Sequence, residues 1–493
     1  MRTDRLLALF LLAATFLVYK PCLRGQFLWD DDAYISQNAE LATLDGLGHI
    51  WVKPGSVQQY YPVTFSVFWL EYHLWGLNPL GYHIVNVLLH AMNALLLWMI
   101  LDGLGISGAW IAAWLFALHP VMVESVAWMT ELKNVLSTFF YLLTLKFLLK
   151  HRVNGRSWAG DGTALALFLC ALLSKSVTVT LPLTFLLVLA WTKGAWDKKT
   201  LWRMLPFMAI GIGVALFTIH VEHHLVRAQG SLWEFSFLQR LIIAGRAFWF
   251  YLAKLFYPAP LVFIYPKWSV HPEDFFLYLY PALAIAFLGM LAYGRKWWGK
   301  MPFACVLFFA ISLGPALGFS SFYFMRFSYV ADHFQYLASL GIFTLTGWVL
   351  SRLLVQLQVP ETSQVGIFVI GLVCANLGLA TTRQAGNYGD SMRLWTYTLA
   401  FNPDSAIAHH NMGISLSERG QWNQAIAHLR TAEALDPTIP QTHLALAYFA
   451  VHAKRWADAR HQYEEAFRLG IRDPQILKDY AALPRASHQL TIK

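Results

Sequence analysis

Apolar positions along this chain come in long blocks rather than in amphipathic stripes, and short polar connectors separate the blocks. A helix needs about twenty mostly apolar residues to cross a bilayer. The blocks predict spans near residues 6–20, 82–102, 106–120, 134–150, 162–174, 178–191, 203–220, 274–294, 301–319, 335–353 and 365–381. The pair within 162–191 is short for two crossings; short helices inside a bundle, joined by the polar "SKS" at 174–176, are the alternative, since protein rather than lipid can surround them. The stretch 240–257 carries Arg240, Arg246 and Lys254 among aromatic residues, which suits a helix lying in the membrane interface. The expectation is therefore an all-α polytopic protein of about eleven spans, with its N-terminus inside and everything after 381 outside.

After 381 the pattern changes to polar, alanine-rich helices. In "SAIAHHNMGISLSERGQWNQAIAHLRTAEALDP", Met412-Gly413, Leu416, Gly420, Ala425, Leu429, Ala432 and Pro437 occupy successive positions of the tetratricopeptide (TPR) template, with His409 where tryptophan is usual. Leu446-Ala447, Ala459, Tyr463, Ala466 and Pro474 mark the next unit, and "SMRLWTYTLAFNP" reads as the second helix of an earlier one. Small residues at these places let paired helices pack closely. The domain expectation is a membrane domain over 1–381, with a first extracytoplasmic loop at 21–80, and a TPR solenoid over 382–493.

Composition and charge sharpen this picture. The chain has 493 residues, is 57% hydrophobic and only 13% charged, and carries a net charge of +9. A basic balance can signal nucleic acid, but here the basic residues fall in short connectors: Arg2 and Arg5; Lys150, Arg152 and Arg156; Lys193, Lys198, Lys199 and Arg203; Arg295, Lys296 and Lys300. That is the positive-inside pattern, so the basicity orients the chain. Cys22, Cys170, Cys305 and Cys374 have neither the pairing of a disulfide framework nor metal-site spacing. The first apolar run has no convincing small-residue cleavage site and reads as an uncleaved span.

The candidate chemistry begins at "FLWDDDAY", where Asp30, Asp31 and Asp32 follow the first span. Adjacent carboxylates beside hydrocarbon are costly and call for a function. Two further polar clusters return to the same side: "HPVMVESVAWMTELKN" at 119–134, with Glu124, Glu131 and Lys133, and "RFSYVADHFQYL" at 326–337, with Arg326, Asp332 and His333. Lys175 in "SKS" joins them. Acids and cations where loops meet the bilayer suit chemistry on a lipid with a charged head. Attack of a hydroxyl on an anomeric carbon needs a general base; a second carboxylate raises the first one's pKa or orients the acceptor; and cations neutralise a departing lipid phosphate. Such a cation clamp needs no metal, although the aspartates could alternatively hold a divalent ion.

Each feature has a plainer alternative. Asp32 reads as a solvated cap, and His119-Pro120 as a helix end. Glu124 and Glu131, seven apart, share one helix face and could be surface charges. Lys133 and Lys175 could be interfacial lysines with their heads in water, Asp332-His333 a structural salt bridge, and His409-His410 repeat packing.

Taken together, the acidic pair, "HPVMVESVAW…ELKN", "SKS", "ADHFQYL" and the C-terminal repeats resemble the transmembrane-and-TPR O-mannosyltransferases and their bacterial relatives, and more distantly the C-type (GT-C) protein O-mannosyltransferases. The resemblance covers essentially the whole chain. It implies transfer of mannose or another hexose from a polyprenyl-phosphate carrier to a Ser/Thr hydroxyl of an extracytoplasmic protein, in a bacterial inner membrane. It also implies that Asp30 and Asp31 are the family's paired acids. Lys133-Asn134 stands where relatives often have arginine and aspartate, and His333 where they have arginine. Two other classes remain open. A transporter would show broken helices around midplane charges, and a non-catalytic TPR scaffold would tolerate loss of Asp30 and Asp31. Within glycosyl transfer, a glycan or lipid acceptor is a further alternative.

Overall fold

Helix after helix follows the apolar blocks, and the described residues contain no strand. The computed structural model describes residues 2–153, 158–194, 198–225, 230 and 233–484; the connector residue Arg156 lies outside them. In chain order the first fifteen helices are α1 (Arg2–Val18), α2 (Leu44–Val52), α3 (Pro62–Trp75), α4 (Pro79–Gly103), α5 (Ala109–Leu118), α6 (Val123–Ala127), α7 (Leu132–Val153), α8 (Trp158–Ser174), α9 (Leu181–Lys193), α10 (Lys198–His224), α11 (Phe237–Phe256), α12 (Leu279–Trp298), α13 (Met301–Leu313), α14 (Ser339–Gln356) and α15 (Gln364–Gly386). Among the described residues, six helical segments are long and apolar enough to cross a membrane: Pro79–Gly103, Met129–Lys150, Lys198–His224, Phe275–Trp298, Ser339–Gln356 and Gln364–Gly386. A seventh is the pair Ala109–Leu118 and Pro120–Ala127, bent by 55°. The expected spans at 6–20, 162–174, 178–191 and 301–319 are apolar helices of 10–17 residues. Length and composition alone thus carry six or seven crossings, and the expected eleven rests on those shorter helices as well.

The break in the seventh segment is built by sequence. Pro120 lacks an N–H and pushes His119 into an extended conformation (φ −80°, ψ 130°), which ends α5 at Leu118. Trp128 is extended too (φ −85°, ψ 116°) and separates α6 from the short helix Met129–Glu131. Irregular backbone at membrane depth must find partners inside the protein. Here α4 supplies them from one polar stripe. Asn86 donates to the Trp128 and Met129 carbonyls, Asn93 to the Val135 carbonyl and the Tyr336 hydroxyl, and His90 bonds Tyr336 and the Ala117 carbonyl. Thr381 of α15 donates to Leu118 O at 2.6 Å. The broken segment is therefore clamped from two sides, which fixes the residues it carries.

The chain divides into two compact units, Met1–Phe263 with Lys267–Asp390, and Ile264–Pro266 with Ser391–Lys493. Helix α15 runs on to Gly386, a few residues past the expected edge of the membrane domain. The second unit contains α16 (Ser391–Phe401), α17 (Ala406–Glu418), α18 (Trp422–Leu435), α19 (Pro440–His452), α20 (Trp456–Arg468) and α21 (Pro474–Ala481). Its helix pairs repeat their polar contacts as well as their apolar ones. His409 Nε2 bonds Pro403 O at 2.9 Å and His443 Nε2 bonds Pro437 O at 2.8 Å. Across each pair, His409 Nδ1 meets His428 and His443 Nδ1 meets Gln462. Histidine at the usual tryptophan position thus packs the repeat and ties it to the turn before it.

Candidate active site

Trp29 sets up the acidic turn. Its φ of 47° is a left-handed conformation that costs a non-glycine residue about 1–2 kcal/mol. Aromatic packing holds it there: its ring stacks on Trp128 at 5.7 Å between centroids and meets Phe263 and Phe327 edge-on. Beyond it, Asp32–Ser36 forms a single π-helical turn, a rare feature that recurs at functional sites.

The three aspartates then part company. Asp31 is fully buried. Its Oδ2 accepts from Leu28 N at 2.8 Å, while its Oδ1 accepts from both the N–H and the hydroxyl of Thr130. Trp128 Nε1 adds a bond to Leu28 O. Asp31 therefore bolts the acidic turn onto the 128–130 segment. Asp32 is exposed and accepts from Ser36 Oγ at 2.7 Å, in keeping with its reading as a cap. Asp30 lies between these extremes: half-buried, with a carboxyl that makes no hydrogen bond among the described residues. Burial pushes that carboxyl up to about 6, against the pull of Lys133 and with a further push from Glu131. Burial likewise pushes Asp31 up to about 7, against the donors from Thr130 and Leu28.

The second and third sequence clusters meet around Glu131. Lys133 Nζ lies 3.0 Å from Glu131 Oε1 and Lys175 Nζ 3.1 Å from Glu131 Oε2. All three are buried, so neither lysine keeps its head in bulk water. Lys133 also sits over the Tyr34 and Trp128 rings, at 4.9 and 5.7 Å from their centroids. Two ammonium groups share one carboxylate, leaving a local excess of positive charge beside Asp30. His333 bridges the acids: Nδ1 is 2.8 Å from Glu124 Oε1, Nε2 is 3.9 Å from Glu131 Oε1, and its backbone N–H donates to Glu124 Oε2. The partner of His333 is thus Glu124 rather than the adjacent Asp332. Burial pushes the imidazole down to about 3, so His333 is neutral and adds no cation. Glu124 and Glu131 are buried and do converge, but across the break at Trp128 and not along one helix face. Asp332 is buried on the same short turn as His333. Arg326 is half-buried at the end of the short helix Tyr323–Arg326.

Four residues to which the sequence assigned no role complete the site. Asn134 donates to Glu131 Oε2, to His333 O and to Ser125 Oγ, tying the clusters to one another. Tyr34 OH donates to Gln59 Oε1, and Gln59 Nε2 donates to Glu222 Oε1, each at 2.7 Å. Glu222, near the end of α10, accepts Tyr323 N at 3.3 Å through its other oxygen. This relay runs from the acidic turn to the segment that bears Arg326. A lone acid near the end of an apolar span was the available signal for Glu222.

No family model matches the chain. It is similar to a protein O-mannosyl-transferase of Caenorhabditis elegans, at 25% identity over 88% of this chain and 63% of the relative's length. A human protein O-mannosyl-transferase matches at 23% identity over 82% of this chain and 63% of its own length. A Drosophila melanogaster protein of the same name is 32% identical over 34% of this chain and 21% of its own length. The chain therefore spans less than two thirds of these curated relatives, whose names agree with the resemblance in the sequence.

Proposed function

We propose that this chain is a membrane glycosyltransferase that moves mannose or a related hexose from a polyprenyl-phosphate carrier to a Ser/Thr hydroxyl of a protein. The observation that carries the reading is the split environment of the aspartates: one carboxyl, Asp30, makes no hydrogen bond among the described residues and feels the buried Lys133, while its neighbour Asp31 is fully bonded. In the reaction the acceptor oxygen attacks the anomeric carbon. Its proton passes to Asp30, the new glycosidic bond forms, and the bond from the anomeric carbon to the phosphate oxygen breaks. The polyprenyl phosphate leaves with its charge balanced by Lys133 and Lys175, with Arg326 available from the third cluster. Glu124, Glu131, Asp332 and His333 form the frame that holds those cations, and no step calls for a metal. Asp30 is the catalytic residue and Asp31 a positioning residue.

The proposed setting is a bacterial inner membrane, with the first loop and the TPR unit extracytoplasmic. The basic connectors at Lys198-Lys199 and Arg295-Lys296 support that orientation. An extended acceptor peptide is the ligand proposed for the TPR unit, as a helical solenoid offers a long concave surface. The decisive assay uses purified full chain, labelled polyprenyl-phosphate mannose and a serine/threonine-rich peptide. The wild type should label the peptide, and the double variant Asp30→Asn, Asp31→Asn should not. Near-normal labelling by the double variant would leave the scaffold reading as the better account.

A further inference from the structure

A cavity of about 880 Å³ lies away from the acidic site, walled by α1, α5 and α15. Its walls are almost wholly apolar, and several of their side chains are left uncovered by protein: Phe10 is 62% exposed and Leu17 69% exposed. Two features separate it from a plain lipid-facing crevice. Lys20 and Arg24 stand at one end, just beyond the last residue of α1, and neither pairs with a carboxylate among the described residues. Trp110 and Trp114 line the α5 wall with half-buried rings, the residue type enriched at the level of lipid headgroups. Trp114 lies four residues before the α5 end at Leu118, about 6 Å along the axis, and Trp110 about one turn deeper. Leu118 O is bonded by Thr381, and Gly378, one turn earlier on α15, packs against Val18 at the end of α1, so the cationic mouth and the α5 end are at the same end of the cavity.

We infer that this cavity is a binding site for one anionic diacyl glycerophospholipid of the surrounding bilayer. The cations receive the phosphate headgroup, the Trp110 and Trp114 rings flank the glycerol region, and the acyl chains lie along the apolar walls. A polyprenyl phosphate offers the same anionic head, and the titration below separates the two. The site is independent of the transfer reaction.

The test is native mass spectrometry of the purified full chain titrated with phosphatidylglycerol, phosphatidylcholine or undecaprenyl phosphate. Phosphatidylglycerol should be retained about tenfold or more over phosphatidylcholine, the scale expected of two cations acting on one anionic head. The double variant Lys20→Gln, Arg24→Gln should lose that preference while still binding both phospholipids weakly. Gly371 lines the cavity, and a Cβ there would meet nothing within 4 Å. Gly371→Leu should therefore fill the space and lower retention of both phospholipids, with the melting temperature unchanged or raised because leucine favours the helix. Equal retention of the two phospholipids by the wild type, unaltered retention in Gly371→Leu, or a loss of undecaprenyl phosphate retention in Lys20→Gln, Arg24→Gln as large as that of phosphatidylglycerol would each overturn the inference.

Discussion

Thr130 donates to Asp31 twice, through its backbone N–H and through its hydroxyl, across 99 positions of chain. The joint carries the first loop onto the broken segment between α5 and α7, while the neighbouring Asp30 carboxyl makes no hydrogen bond among the described residues. It predicts different failures for the two aspartates. Asp30→Asn should lose roughly 10²–10⁴-fold in transfer rate, the usual contribution of a general base, at an unchanged melting temperature. Asp31→Asn turns an amide NH₂ toward donors that then lack an acceptor, each costing about 1–3 kcal/mol. It should lower stability and activity together, and Thr130→Val should reproduce part of the stability loss. Thermal unfolding measured beside turnover separates the two outcomes.

The acid limb of the rate should belong to Asp30. Its folded pKa is raised to about 6, so the base is protonated and inactive below that pH, and the rate should rise as pH passes through about 6. Stability moves the other way. A carboxyl raised in the fold binds its proton more tightly there, so its contribution is favourable at low pH and is lost between the ordinary value of 3.8 and about 6. Lys133 lowers the Asp30 pKa, so Lys133→Met should shift the limb to higher pH. A pH profile of kcat/KM on both proteins checks this; a limb that does not move in Lys133→Met would remove Asp30 as its source.

The fold was legible where one physical demand governs a long stretch. Apolar blocks gave most of the helices to within a few residues, and the small residues at TPR template positions gave the repeat pairs. What escaped was the broken membrane segment. Periodicity put Glu124 and Glu131 on one helix face, whereas Pro120 and Trp128 interrupt that helix. The compensating signal was the stripe His83, Asn86, His90 and Asn93 on α4, which is costly in a span unless irregular backbone lies opposite. The residues of the site were legible as clusters, but their division of labour was not. Which carboxyl is bonded and which lysine is buried depends on contacts between segments a hundred or more residues apart.

Glu131 holds two buried ammonium groups, so removing its charge should destabilise the protein more than removing either lysine. Glu131→Gln should cost roughly 3–5 kcal/mol, the range for an uncompensated buried partner. Adding Lys175→Met to Glu131→Gln removes one of the stranded cations and should recover part of the loss. Chemical unfolding of the single and double variants provides the measurement. Additive losses would mean that the Lys175–Glu131 contact at 3.1 Å carries no coupling.

Glu222 offers the last discrimination, between a residue that reacts and one that holds the cleft in shape. Its two oxygens take Gln59 Nε2 and Tyr323 N, joining the acidic turn through Tyr34 to the segment that bears Arg326. Glu222→Gln keeps the volume but has one acceptor oxygen for two donors, so one end of the relay must let go. If the relay shapes the acceptor cleft, KM for the peptide should rise several-fold while kcat and the acid limb near 6 stay put. Gln59→Glu, combined with Glu222→Gln, restores a carboxylate–amide pair in reversed order and should bring KM part of the way back. A fall in kcat with KM unchanged, or no rescue by the reversed pair, would show that the relay does not shape the acceptor cleft.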